Sequence, residues 1–162
     1  MSVFKNTFSR ALVPLFSNTI DIPTPQSLNI SSTNTTATAG KLIDSTQGFI
    51  TKNVYVGDIV YNTSLQALAT VLSIDSQTQL TLSSDIFSGT GNAYQLYSMS
   101  AQAGIGNEGC YLYVGSAGNV AITTVGGDVI TFNNVPAGSI LPIQVRRLMS
   151  TGTTATNLMA LW

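Results

Sequence analysis

From Lys41 onward the chain alternates apolar and polar residues in short runs separated by Gly, Asn, Asp and Ser. A period of two marks strands with one buried face. KLI, VYVGDIVYN, ALATVLSI, QLTLSS and AYQLYS predict five short strands between Lys41 and Ser98. Ser45 to Gly48 reads as a turn and DSQT as a polar break. Gly57-Asp58 interrupts a β-branched and aromatic run, a pattern typical of a bulge or tight bend. The segment predicts a small β-barrel or sandwich.

The same pattern returns after SMSAQAGIGNEG, a small, Gly-rich stretch that reads as a linker over residues 99–109. CYLYV and NVAITT flank GSAG, a hairpin signal, and GGD turns the chain into VITF. NNVPAGS is a further turn, and ILPIQVRRLMS and TNLMALW supply two last strands joined by TGTTA. In the last strand Leu158, Ala160 and Trp162 share one face and Met159 and Leu161 the other. Both faces are apolar, which predicts burial on both sides, by the chain's own module or by another chain. The expected fold is all-β: two small sandwich- or barrel-like modules, at 41–98 and 110–162, preceded by an extended N-terminal arm over residues 1–40.

The arm has a different pattern. Phe4, Phe8, Leu12 and Leu15 recur at helical spacing and allow a short amphipathic helix. IDIPTPQSLNISSTNTTATAG follows, where two prolines and a Ser/Thr/Asn run predict extended chain. Such an arm is either a solvated tail or a segment that docks on a neighbour. On this reading residues 1–36 are dispensable for folding of the two modules.

Composition narrows the function classes. Of 162 residues, 44% are apolar but only 8% are charged, and the net charge is -1. An ordinary chain carries about a quarter charged residues. Nucleic acid is not an expected partner, because the basic footprint is missing. Low charge weakens colloidal repulsion, which suits a surface covered by copies or partners. Without histidine the commonest general base and metal ligand are both missing. The single Cys110 precedes the apolar run YLYV and reads as a buried thiol. No apolar run reaches the roughly twenty residues of a transmembrane helix, so no membrane is expected. The N-terminal MSVFKNTFSRALVPLF makes a poor signal peptide, and the sequons at Asn29, Asn34 and Asn62 are then incidental.

Candidate chemistry is sparse. Gly104 to Gly109 spells G-x-G-x-x-G, but a polar linker precedes it and a strand follows, the reverse of a dinucleotide site. The carboxylates Asp21, Asp44, Asp58, Asp75, Asp85, Glu108 and Asp128 fall mostly in turns, where Asp accepts turn amides. Their spacing marks no glycosidase pair and no calcium loop. No enzyme, metal or cofactor is expected. Arg146 and Arg147 are adjacent on a predicted strand and should point to opposite faces. One of them must leave the core, to meet an Asp in a turn, a neighbouring subunit, or solvent. Tyr94, Tyr97, Tyr111 and Tyr113 could serve as stacking platforms for a glycan, although core packing explains Tyr111 and Tyr113 equally well.

The C-terminal third, LYVGSAGNVAITTVGGDVITFNNVPAGSILPIQVRRLMSTGTTATNLMALW, resembles the head-spike base proteins of tailed phages and gene transfer agents. The likeness rests on Gly115, Gly118, the Gly126-Gly127-Asp128 turn, Val135-Pro136-Ala137-Gly138, Leu141-Pro142, Arg146-Arg147, and Gly152 to Ala155. The middle segment is similar, more loosely, to β-modules of phage virion structural proteins. The resemblance implies a non-enzymatic virion component: a head decoration, cement or spike-base protein that attaches to the capsid and anchors fibres. A neck or tail connector or fibre adaptor is the alternative, and a glycan-binding adhesin a third reading. It further implies a homo-oligomer, a ring or trimer, partnered by capsid or other virion proteins and located on the head surface or neck. Phe4, Phe8, Leu12, Leu15, Arg146, Arg147 and Trp162 are then the interface candidates.

Overall fold

A computed structural model describes residues 8–99 and 109–162. The chain is all-β, with two six-stranded antiparallel sheets and a 3-10 turn at Pro25–Ser27, and no complete α-helix lies within the described residues. Neither sheet closes into a barrel. The strands fall into two units: one takes residues 8–25 with 109–162, the other residues 26–99.

In the first unit the strands are β1 (Ala11–Leu12), β8 (Cys110–Ser116), β9 (Gly118–Thr124), β10 (Val129–Val135), β11 (Ser139–Leu148) and β12 (Thr156–Leu161). Their order across the sheet is β1-β12-β8-β11-β9-β10. The ten-residue β11 organises the unit. Its first part pairs with β8 (Ser139 opposite Val114, Leu141 opposite Leu112), and its last part pairs with β9 (Leu148 opposite Ile122). Pro142 lies where the β8 pairing shifts register, between Leu141 and Val145. Proline cannot donate to a ladder, so a place where the ladder breaks is one it can occupy.

GSAG does not make the expected hairpin, because β11 lies between β8 and β9. A two-residue hairpin turn needs positive φ, and Gly115 to Gly118 has none. These glycines serve a close approach instead. A Cβ on Gly118 would stand 2.5 Å from the Ala155 nitrogen, and one on Gly115 would strike the Asn157 carbonyl oxygen. The GGD turn does make the β9–β10 hairpin, with Gly127 at φ 98°.

The second unit holds β2 (Leu28–Thr33), β3 (Lys41–Ile43), β4 (Ile59–Asn62), β5 (Ala67–Ser76), β6 (Gln79–Leu82) and β7 (Ala93–Tyr97), in the order β2-β7-β4-β5-β6-β3. The five predicted strands are present, shortened where VYV forms a turn before β4. Here β5 is the long shared strand, pairing β4 with residues 67–70 and β6 with residues 71–76. Its two outermost strands approach each other through Thr36, which bridges Ile43. Each unit has its own core. One is built on Leu112, Val114, Ile122, Val145 and Leu148, the other on Leu42, Phe49, Val60, Leu80, Tyr94 and Leu96.

The described part of the arm is extended but is spent on the chain itself. Residues 8–16 form no helix: Leu12 lies in β1, paired with Ala160, and Leu15 is half-buried in irregular chain. Pro14 breaks the helical period, and the main chain beside it completes the edge of β12. The Ser9 and Arg10 amides donate to the Trp162 carbonyl, and the Trp162 amide donates to the Arg10 carbonyl. Ile22 enters the first core and Ile30 the second. The dispensability expected for residues 1–36 is therefore reversed for the described part of that segment. Phe4 and most of the 99–109 linker lie outside the described residues.

Candidate functional site

β8 sets the geometry of the outer surface of the first sheet. Cys110, Leu112 and Val114 point into the core, so Tyr111 and Tyr113 point outward. On one side Tyr113 stands opposite Met159 of β12, and on the other opposite Ile140 of β11. Tyr111 stands opposite Leu161, and the Phe8 ring packs against it at 5.7 Å. Residues directly opposite on one face touch. Two adjoining rows result, Ile140–Tyr113–Met159 and Leu161–Tyr111–Phe8, and neither holds a charged side chain. Ile140 is 46% exposed, Met159 38% and Tyr111 37%, so the surface is open to a partner.

Of the cover expected on both faces of the last strand, by its own module or by another chain, the chain's own core supplies one face. Leu158 and Ala160 are buried in the core, whereas Met159 faces out. Trp162 is half-buried against the same core, with a buried indole N–H that has no partner among the described residues. Core packing likewise does not account for Tyr111 and Tyr113. It does account for Tyr94 and Tyr97, which are buried. Burial pushes the Tyr97 phenol up to about 12, with Tyr61 adding to the shift, and raises Tyr94 further with help from Asp44.

The arginine pair lies elsewhere on this unit. The register of β11 against β9 shifts between Val145 and Arg147. Such a bulge turns neighbouring side chains toward the same side, and both arginines reach Asp21, contrary to the opposite faces expected. Arg147 donates through Nε at 2.8 Å and contacts the carboxylate again at 2.6 Å, while Arg146 approaches at 3.5 Å. The Ile22 amide donates to the Arg146 carbonyl and the Ser17 amide to that of Leu148. The pair thus clasps residues 17–22 onto β11 within one chain. Of the interface candidates, Phe8 belongs to the apolar surface, Leu12 lies in β1, Leu15 in the irregular chain after it and Trp162 just past the end of β12, and Arg146 and Arg147 reach Asp21.

The remaining polar groups are internal ties. Asp44 is buried and accepts hydrogen bonds from Ser32, Tyr94 and Thr46. Asp58 is buried and accepts the Tyr55 and Met99 amides. Asn34 and Asn62, two of the sequon residues, are buried and bonded to Gly89 and Ile86. Cys110 donates to the Val145 carbonyl, and burial pushes its thiol up to about 12, so the sulfur is held as a neutral core atom. Among the described residues no three His, Cys, Asp or Glu side chains gather as metal ligands would. No helix among them is long and apolar enough to cross a membrane.

What the apolar surface can do is associate. Each of its side chains is already partly covered, so full burial adds about 1 kcal/mol apiece. Association costs about 4–15 kcal/mol in lost freedom of motion. The surface is therefore too small to hold an isolated pair tightly, but sufficient where several contacts act together in a ring or on a shell. Sequence reasoning missed this surface because alternation shows which residues share a face and not which face is covered. The one available signal was the apolar residues on both faces of TNLMALW. No family model, curated protein or solved structure matches the chain.

Proposed function

We propose that the chain is a non-enzymatic structural protein of a tailed-phage virion. It would be a head-decoration or spike-base protein that assembles with copies of itself, attaches to the capsid and anchors fibres or spikes. The observation that carries this reading is the open, uncharged surface on β8, β11 and β12. Those strands lie within the C-terminal third that resembles spike bases, and such a surface needs a protein neighbour. The low charge of the chain as a whole points the same way.

The test is a cryo-EM map of the particle with this chain located in it, together with a Tyr113→Asp variant. Density at capsid vertices or on the shell is expected, and the folded variant should be depleted from particles. Density at the portal, neck or tail would replace the decoration reading with that of a connector. Normal incorporation of the folded variant would remove the apolar surface from the proposal. A second reading has one specific observation behind it: Tyr111 and Tyr113 are outward neighbours on one strand, as a glycan-stacking platform requires. Dose-dependent glycan binding that is lost on Tyr113→Ala would establish an adhesin instead.

A further inference from the structure

We infer that β10 is a self-pairing edge, at which two copies of the chain join their first-unit sheets antiparallel about Thr131. This deepens the assembly reading above and rests on it. Three of the four outermost strands are short or tied. β1 is two residues long, and the β2 and β3 sides of the other sheet meet through Thr36 and through the Thr35 amide, which donates to the Ile43 carbonyl. β10 is seven residues long and, among the described residues, pairs with β9 alone. An edge of this kind is normally blunted by Lys, Pro or a bulge along its length. Val129 to Asn133 carries none of these, and Val129 is 69% exposed.

The hairpin fixes which groups face outward. The Thr124 amide donates to the Asp128 carbonyl, so these two form a bonded pair at the mouth of the turn. Bonded and non-bonded pairs alternate along an antiparallel ladder. Ile130 and Phe132 therefore bond to β9, and Val129, Thr131 and Asn133 turn their main-chain groups to the open edge. Beyond Asn133 the strand bulges: the register shifts between Phe132 and Val135, and Asn134 has φ 53°. The usable edge runs from Val129 to Asn133, and its midpoint is Thr131.

That edge is complementary to itself. A two-fold axis at Thr131 sets Val129 opposite the second copy's Asn133 and gives about six main-chain hydrogen bonds. It also sets Ile130 opposite the second copy's Phe132, twice, as close non-bonded apolar pairs. Charge decides the direction. Asp128 stands at one end of the edge only, so antiparallel pairing separates the two carboxylates by about 20 Å. Parallel pairing would instead stack them about 5 Å apart. Separation beyond the screening length makes the antiparallel arrangement free of repulsion.

The experiment is sedimentation of the full chain over a concentration series, with Thr131→Pro and Thr131→Cys. Proline removes an N–H that β9 does not use, so the variant should keep its fold and weaken association about thirtyfold or more. Cysteines facing each other across a bonded pair lie about 5.5 Å apart at Cα, within disulfide reach. Oxidised Thr131→Cys should therefore form a covalent dimer, with the buried Cys110 left out of it. If Thr131→Pro does not fold, the crosslink decides. A wild-type chain that stays monomeric at every concentration overturns both the edge and self-assembly. An oligomer that survives Thr131→Pro, with no crosslink in Thr131→Cys, overturns the edge and leaves assembly to the apolar surface.

Discussion

At Asp44 two hydroxyls, a phenol and an amide converge on one buried carboxylate, from β2, β7 and the turn after β3. Burial alone would raise its pKa, but the hydrogen bonds from Thr46, Ser32 and Tyr94 outweigh it and hold the pKa below 3.8. Replacing Asp44 by Ala strands these donors and is expected to cost about 2–4 kcal/mol in urea unfolding. Asp75 is also lowered, by bonds from Gln79, Lys41, Ser73 and Thr81. A carboxylate with a lowered folded pKa stabilises the fold fully above its unfolded value, and that contribution is lost as pH falls through the folded value. Asp58 has the opposite sign, since burial raises its pKa, so protonating it on acidification favours the fold. The urea midpoint should therefore fall below about pH 4, and fall less steeply in Asp44→Asn. A midpoint independent of acid would show that these ties carry no weight. The sequence shows that Asp44 stands beside a turn, and nothing in its spacing shows the Ser32 and Tyr94 partners.

Among the elements, the strands of 41–98 and 110–162 were legible, whereas β1, β2 and the choice of neighbours were not. All five strands of 110–162 form where alternation and turn residues place them. The GSAG hairpin does not form, because its glycines are taken by close approach of the chain that leads into β12. Gly118→Ala should cost about 1–3 kcal/mol, because its Cβ would meet main-chain atoms of Ala155 and Thr154, which cannot rotate aside. Gly127→Ala, with open space around it, should show only the milder strain of its φ of 98°. Equal losses at the two positions, read from unfolding midpoints, would contradict this account. The two arginines show the same limit. A straight strand sends neighbours to opposite faces, and a bulge in β11 aims both at Asp21.

For the whole molecule, the consequence is that both units depend on a segment whose sequence reads as an arm. Removing residues 1–36 takes away β1, the Asp21 clasp, Ile22 and all of β2, with Ile30 and the Ser32 tie to Asp44. The truncated chain is expected to lose cooperative unfolding in both units, seen as lost dispersion in NMR spectra or lowered melting by calorimetry. A truncated chain that melts like the full one would restore the reading of a detachable arm. Beyond the single chain, the apolar surface on β8, β11 and β12 and the open edge at β10 are separate features of one sheet. Assembly through both would build extended contacts from individually weak ones.

The sequence by itself determined the all-β class, the two strand-rich segments, the strand positions within those segments and the poverty of charge. These follow from alternation, turn residues and composition, which act over a few residues at a time. Only the tertiary structure decided that the N-terminal segment supplies an edge strand to each sheet, that β11 separates β8 from β9, and that Tyr111 and Tyr113 face outward. It also decided which strand was left at the open edge. Each of these depends on pairing between residues far apart in the chain, where register, bulges and close backbone approach choose among partners that local pattern leaves equivalent.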